Sequence, residues 1–497
     1  MRPRPYSCLA VAFLLAGALS ARADPGAAYY GADPHRLFWL VQVSDTHIGT
    51  DWYNEDGRFY WLLQEALPII QPELVINTGD LVDASKNGIP ASGQDLGEWQ
   101  RYRGIVDQAG VPADYYIDLP GNHDTYDDDL SYYLEWSLNG STYGRTTRAL
   151  LLQFDFGSYF LYGCSTPGDS ARPFLDPAGF SQEELEEMGE MLEGNADANL
   201  VLVFGHHPPG DPDRADEARA LWRGAGAQYF HGHIHAYEEY LYDGVLARQV
   251  NSLGKAKHEN LALIAVDGDF LTYEVTDSDD PWPFLVITAP ADARLESGDP
   301  NPYAYAVAPD CAAAPVRALV FDNAPVTAVT CRAGSGPEAA LERDPDRPML
   351  WRGAFDTTGL AAGEVELTVT ASGSQTRSRS IKVLLDAAGA CPEPWHPPDG
   401  GPDGDGGATG GGDDGSADGG GNDAADLGAD AGVTDDAGAG PEAGRDGGDG
   451  EADAADDGAD GSPGAGSGCG CGTAPGAGGT WFLLLLLLLL PGRRRRG

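Results

Sequence analysis

Between Leu37 and about Thr276, short apolar runs alternate with turns and with stretches of helical period. Leu37–Val43, Leu74–Asn77, Tyr115–Leu119, Leu200–Phe204 and Gln228–Phe230 are continuous or nearly continuous apolar runs. Strands covered on both faces read this way. The runs Leu150–Phe156 and Tyr159–Gly163 form a hairpin-like pair, and the segments Phe59–Leu67 and Gln182–Glu193 carry helical spacing. The pattern predicts an α/β domain over residues 37–276.

From Pro283 the pattern changes. Val316–Phe321, Val326–Cys331, Glu364–Thr370 and Arg379–Leu385 are short alternating pieces separated by Gly, Pro and Asp. They predict a small antiparallel β-sandwich over residues 283–390. Cys311 can bridge to Cys331 in an oxidising compartment, and Cys391 is an equal candidate for either partner. Residues 399–468 hold 19 acidic side chains and one Arg among Gly, Ala and Ser. They lack the apolar content to fold and read as a disordered acidic linker. As a coil this segment spans roughly 45 Å, more with charge repulsion.

The full chain of 497 residues has a formal net charge of −46, which argues against a nucleic-acid backbone as partner. Its ends are basic. Arg2 and Arg4 precede the apolar stretch from Cys8 to Leu19 and then Ala21-Arg22-Ala23, the order of a secretory signal peptide over residues 1–23. Residues 469–497 carry Cys469 and Cys471, the apolar Trp481–Leu490 and the basic Arg493–Arg496. A helix of that apolar length, about 15 Å, is short for a hydrocarbon core of about 30 Å. A Cys motif, an apolar helix and a basic tail together resemble carboxy-terminal sorting signals of the myxobacterial type. That resemblance implies export and sorting machinery as partners and a protein held at the cell surface or outer membrane by its carboxy-terminal end, through one of the two Cys.

Metal-type side chains follow five of the apolar runs. Asp45 and His47 come after Leu37–Val43, Asp80 after Leu74–Asn77, Asn122, His123 and Asp124 after Tyr115–Leu119, His206 after Leu200–Phe204, and His233 and His235 after Gln228–Phe230. Ligands of open α/β sheets gather beyond the carboxyl ends of strands. Asp45, His47, Asp80, Asn122, His206, His233 and His235 supply two carboxylates, four imidazoles and one amide oxygen. That is too many for one tetrahedral Zn2+, and it suits two ions sharing a carboxylate and a water.

The order DxH, GD, GNHD, GH and GHxH resembles the calcineurin-like metallophosphoesterase superfamily. The resemblance implies an α/β/β/α sandwich, with Asp45, His47 and His235 on one metal, Asn122, His206 and His233 on the other, and Asp80 on both. It places His123 toward the substrate phosphate as the catalytic residue. Asp124 is expected to orient His123, and Asp83 stands with it behind the ligands. Phe38–Asp45, Glu98-Trp99-Gln100-x-Tyr102 and Trp282–Thr288 are similar to the transmembrane protein 62-like branch, in which an immunoglobulin-like β-sandwich follows the catalytic domain. This chain departs from that branch in showing no multi-span apolar region after the sandwich, and in carrying His206-His207-Pro208-Pro209. His207 adjoins a ligand without a motif assignment.

His47 stands where purple acid phosphatases have Gly, and Asp83 where they place a metal-binding Tyr, so a ferric-tyrosinate centre is not expected. The oxygen and nitrogen donors suit Mn2+, Fe2+ or Zn2+. The expected activity is hydrolysis of phosphate mono- or diesters by a water that the two ions share and acidify. The competing reading is a surface binding or adhesion protein that uses the same fold with little turnover. The intact ligand set favours the enzyme.

Overall fold

The computed structural model describes residues 29–50, 53–168 and 178–391. The expected signal peptide, acidic linker and carboxy-terminal segment lie outside these residues.

The first eleven strands are β1 (Leu37–Val43), β2 (Leu74–Asn77), β3 (Tyr116–Asp118), β4 (Arg148–Phe154), β5 (Gly157–Gly163), β6 (Leu200–Phe204), β7 (Gln228–His231), β8 (Glu238–Tyr242), β9 (Val245–Gln249), β10 (Leu261–Asp267) and β11 (Phe270–Thr276). They form two sheets, ordered β11-β10-β1-β2-β3 and β4-β5-β6-β7-β9-β8. The continuous apolar runs are the parallel strands, β1-β2-β3 and β5-β6-β7. Strands that alternate, such as β4, lie at antiparallel edges.

Side chains alternate between the two faces of each strand. Phe38 and Leu40 of β1 therefore meet Leu161, Leu202 and Phe230 of the facing sheet in one core. Leu37, Val41 and Val43 of the same strand turn the other way, onto Phe59, Leu63, Trp99 and Tyr102. These come from the segment Glu55–Ile70 and the helix Leu96–Ala109. On the far side, Leu185, Met188 and Trp222 of the helices Gln182–Gly194 and Ala215–Gly224 cover Phe160, Val201 and Tyr229. The layers are helix, sheet, sheet, helix. The predicted helix around Phe59–Leu67 is interrupted by a π-helical turn, Leu62–Ala66, just ahead of Pro68. Proline has no N–H to donate to the preceding turn.

Seven further strands follow: β12 (Phe284–Ala289), β13 (Ala314–Phe321), β14 (Ala328–Ala333), β15 (Ala339–Arg343), β16 (Leu350–Phe355), β17 (Gly363–Ser372) and β18 (Thr376–Leu385). Their order is β12-β13-β16-β15-β14-β17-β18, and every pairing is antiparallel. Leu285 and Ile287 from one end of this order share a core with Ile381 and Val383 from the other, so the sheet wraps around it. Cys311 bridges to Cys391, leaving Cys331 as a buried thiol. Ala390 zips against residues 306 and 308 through backbone hydrogen bonds of 3.0 and 2.8 Å, which carries Cys391 to Cys311.

The two units pack together where the pattern changes near residue 283. Trp282, Phe284, Val286 and Phe321 belong to the same core as Leu37 and Phe59. The second unit also begins ahead of β1. Tyr29 and Tyr30 are fully buried in its core, and their hydroxyls donate to the Thr288 and Tyr305 carbonyls at 2.7 and 2.8 Å. Arg317 of β13 donates to the carbonyls of both tyrosines and to Asp267 of β10 at 2.7 Å, a buried ion pair joining the two units. Among the described residues no helix is long and apolar enough to cross a membrane.

Candidate metal centre

The five loops that leave β1, β2, β3, β6 and β7 meet at one place. Asp45 accepts the His233 amide at 3.0 Å, and its other oxygen lies 3.0 Å from His235 Nε2 and 3.6 Å from His47 Nε2. Asp80 Oδ2 lies 3.3 Å from His206 Nε2 and 3.6 Å from His47 Nε2, so this carboxylate stands between the two groups. Asn122 Oδ1 is 3.0 Å and His233 Nδ1 is 3.3 Å from His206 Nε2. Asp45, His47 and His235 thus form one cluster, and Asp80, His206 and His233 another, each with donor atoms within 4.8 Å of one another.

The backbone is bent to achieve this. Asp45, His47, Asp80, His233 and His235 all have positive φ, a conformation that costs a non-glycine residue on the order of 1–3 kcal/mol. Such strain concentrates at functional sites. Gly79, at φ 113°, admits the approach because any Cβ there would lie 2.8 Å from both Gly121 N and His206 Nδ1.

The donor atoms call for a cation. His206 Nδ1 is 2.9 Å from the Thr78 carbonyl, which can only accept, so Nδ1 carries an N–H and Nε2 is the atom left to hold a proton or a cation. Nε2 faces Asn122 Oδ1, Asp80 Oδ2 and His233 Nδ1. The Asn122 amide nitrogen is turned away to Tyr126 Oη. Burial would lower the His206 imidazole, yet the Asp80 and Asp45 charges outweigh it and lift it to about 9. Burial would likewise raise Asp45 and Asp80, but the facing imidazoles hold both well below the usual carboxylate range. The donor set fits divalent metal ions, which take the place of those protons.

Residues 38–237 match the family model of calcineurin-like phosphoesterases. This region is similar to calcineurin-like phosphoesterase domains. The chain is 25% identical to transmembrane protein 62 of Mus musculus over 382 residues, which is 72% of this chain and 57% of that protein. It therefore spans little more than half of that relative's length. Among solved structures, the chain resembles GAP50, the anchor in the inner membrane complex of Plasmodium, at 10% identity and a TM-score of 0.33, covering 49% of this chain and 85% of that one. It also resembles the phosphopantetheinyl hydrolase PptH of Mycobacterium tuberculosis, at 14% identity and a TM-score of 0.29, covering 45% of this chain and 92% of that one.

The remaining predicted residues of this region surround the two clusters. His123 Nδ1 is 2.8 Å from the Asp83 carbonyl, and its Nε2 is 3.9 Å from Asp80 Oδ2. Burial pushes this imidazole down to about 4. Asp124 does not orient it, contrary to expectation. Its carboxylate accepts the amides of Gly121 at 2.7 Å, Leu81 at 3.1 Å and Val82 at 3.3 Å, and so ties the GD loop to the GNHD loop. The imidazole is oriented instead by the Asp83 main chain, while the Asp83 side chain lies 3.3 Å from His47 Nδ1. His207 is buried, with Nδ1 2.8 Å from Thr166 Oγ1 and its ring against His233. His35 and His258, outside the motifs, pair with Asp344 and Asp277 away from the centre.

Sequence reasoning missed Lys255. Its ammonium lies 2.5 Å from Asp83 Oδ1, delivered by a loop without a motif, and only its tertiary position reveals it.

Proposed function

We propose that this chain is an exported, surface-held phosphoesterase that hydrolyses phosphate mono- or diesters with two divalent ions, Mn2+, Fe2+ or Zn2+. The observation that carries the reading is His206 Nε2, which meets three groups that can accept and so marks a place for a positive charge. Asp45, His47 and His235 would hold one ion, Asn122, His206 and His233 the other, and Asp80 both. When bound, the ions would supply an acidified water and positive charge for the phosphoryl oxygens.

The chain's own residues do the rest. Thr78 fixes the His206 tautomer through its carbonyl, as partners behind metal-bound imidazoles do. Asp124 holds the two loops that carry Asp80 and Asn122. With Nδ1 committed to the Asp83 carbonyl, His123 presents Nε2 toward the ester, where the negative charge of a bound phosphate would favour uptake of the proton that Nε2 then passes to the leaving oxygen, a role typically worth ~10² to 10⁴-fold. We read the antiparallel unit as the immunoglobulin-like module of the transmembrane protein 62-like branch. Export is supported by the Cys311–Cys391 disulfide, since such bonds persist in oxidising compartments.

Metal analysis of the purified protein, beside p-nitrophenyl phosphate and bis(p-nitrophenyl) phosphate hydrolysis, tests the chemistry. Two bound ions with turnover of either ester are expected, and a metal-free, inert protein refutes the reading. Deleting residues 469–497 should move active enzyme from the cell envelope to the medium. Continued envelope association would refute the anchor.

A further inference from the structure

We propose that Lys255 is a positioning residue of this centre, fixing His47 and His123 through Asp83. The proposal rests on the phosphoesterase reading. His47, Asp83 and His123 offer donor atoms within 4.8 Å of one another, the spacing of a third cation cluster. The Lys255 ammonium already stands on its carboxylate, 2.5 Å from Asp83 Oδ1. The same oxygen is 3.3 Å from His47 Nδ1 and 3.8 Å from His123 Nδ1, and Asp83 Oδ2 takes the Ser85 hydroxyl at 2.6 Å. One carboxylate thereby stands beside an imidazole of each kind, a proposed metal ligand and the proposed proton carrier, with a fixed positive charge in place of an ion.

The loop that brings Lys255 is built for the purpose. Leu253 and Gly254 donate their amides to the Ser44 and Asp45 carbonyls at 2.9 and 3.0 Å, and Ser252 Oγ donates to the Asp45 carbonyl at 2.9 Å. Ser252 Oγ in turn accepts the Lys255 amide at 2.8 Å. Any Cβ at residue 254 would collide with the Thr46 carbonyl. The loop is therefore stitched to the DxH backbone, and the lysine reaches Asp83 with its main chain held at both ends. Its side chain is only 12% exposed.

Without the ammonium, the Asp83 carboxylate is left to compete for the two imidazole N–H groups. The His123 N–H would leave the Asp83 main-chain carbonyl for the carboxylate, and both rings would turn. Partners behind metal ligands are worth roughly 10–100-fold in metal affinity or activity. Because Lys255 acts through Asp83 and not on the ester, the loss belongs in kcat.

The test compares full-length wild type with Lys255→Met and Lys255→Arg. Its readouts are kcat and KM for p-nitrophenyl phosphate, Mn2+ affinity by calorimetry, and melting temperature. In Lys255→Met, kcat should fall roughly 10–100-fold and Mn2+ affinity should weaken, with KM within about twofold and the melting temperature held. Lys255→Arg should recover most of both losses. A raised KM with kcat intact would mean that Lys255 touches substrate and would overturn the proposal. So would equal losses in both variants that track a lower melting temperature. If wild type hydrolyses no phosphate ester, the functional reading fails on its own. Positioning is then judged by calorimetry, where unchanged Mn2+ affinity in Lys255→Met overturns it.

Discussion

Asp80 is the most exacting point of the centre, because one carboxylate is asked to serve both groups of ligands. The isosteric change Asp80→Asn keeps the acceptor that Oδ1 presents to the His123 amide at 2.8 Å, so the loop geometry has no reason to collapse. It removes one unit of negative charge that lies 3.3 Å from His206 Nε2 and 3.6 Å from His47 Nε2, at a residue 2% exposed. At an effective dielectric of about 20, a unit pair at about 4 Å is worth roughly 4 kcal/mol. Screening by solvent is small at such burial. That figure is per unit of charge, so each divalent ion should lose at least about three decades of affinity. The assay is calorimetric titration of chelator-treated protein with Mn2+, followed by p-nitrophenyl phosphate turnover at saturating metal. Asp80→Asn that keeps two ions at wild-type affinity and wild-type turnover would refute both the shared-ligand role and the Coulombic magnitude assigned to it.

Three further outcomes are expected. His123→Ala should keep both metals and lose ~10² to 10⁴-fold in kcat; metal loss in proportion to activity would make His123 a ligand. Arg317→Met should cost about 3–5 kcal/mol in urea unfolding by stranding the buried Asp267 charge, and Asp267→Asn in the same chain should return part of it; additive losses would show that the pair is not what joins the units. Glu274 of β11 is raised to about 8 by burial, which outweighs the Arg379 charge, with Glu239 and Asp292 adding to the rise. An acid with a raised folded value keeps its full stabilising contribution below the unfolded value near 4.5 and loses it as pH climbs to about 8. Wild-type stability should therefore fall across pH 4.5–8 more steeply than that of Glu274→Gln, and parallel curves from thermal melts would remove the effect.

The candidate centre was legible because each ligand sits directly after an apolar run, and a strand end is the one place where sequence neighbours become spatial neighbours across a sheet. Asp45, Asp80, Asn122, His206, His233 and His235 all converge for that reason. The parallel strands were legible too, since burial on both faces leaves little but apolar residues. What was hidden depends on contacts between distant segments. Asp124 reads as a partner of its neighbour His123, yet its carboxylate is taken up by the amides of Leu81, Val82 and Gly121. β15 and β16 have no long apolar run because one face of each is exposed to solvent or only half covered. Cys331 lay in a strand and looked available, but its strand pairing holds it in the core away from Cys311. Tyr29 and Tyr30 belong to a unit whose strands begin some 250 residues later, and no local signal could assign them there.

The join between the two units bears on the chemistry. Arg58 donates to the carbonyls of Leu253 at 3.0 Å and Ala256 at 2.6 Å, so it holds the loop that delivers Lys255 on either side of that residue in the chain. The same guanidinium is paired with Asp279, which lies in the short passage from β11 to β12. A continuous set of contacts therefore runs from the start of the second unit through Arg58 and the 253–256 backbone to Lys255, Asp83, His47 and His123. Contact alone is not coupling, and nothing here requires two states. The consequence is static. Trp282 and Phe284 are buried in the core that β1 shares, and Asp279 holds Arg58, so the passage into the antiparallel unit is packed behind the loop. A hinge at residue 283 would leave that loop free to drift, and a displacement of about 1 Å at a catalytic constellation is enough to cost on the order of 10²-fold in rate.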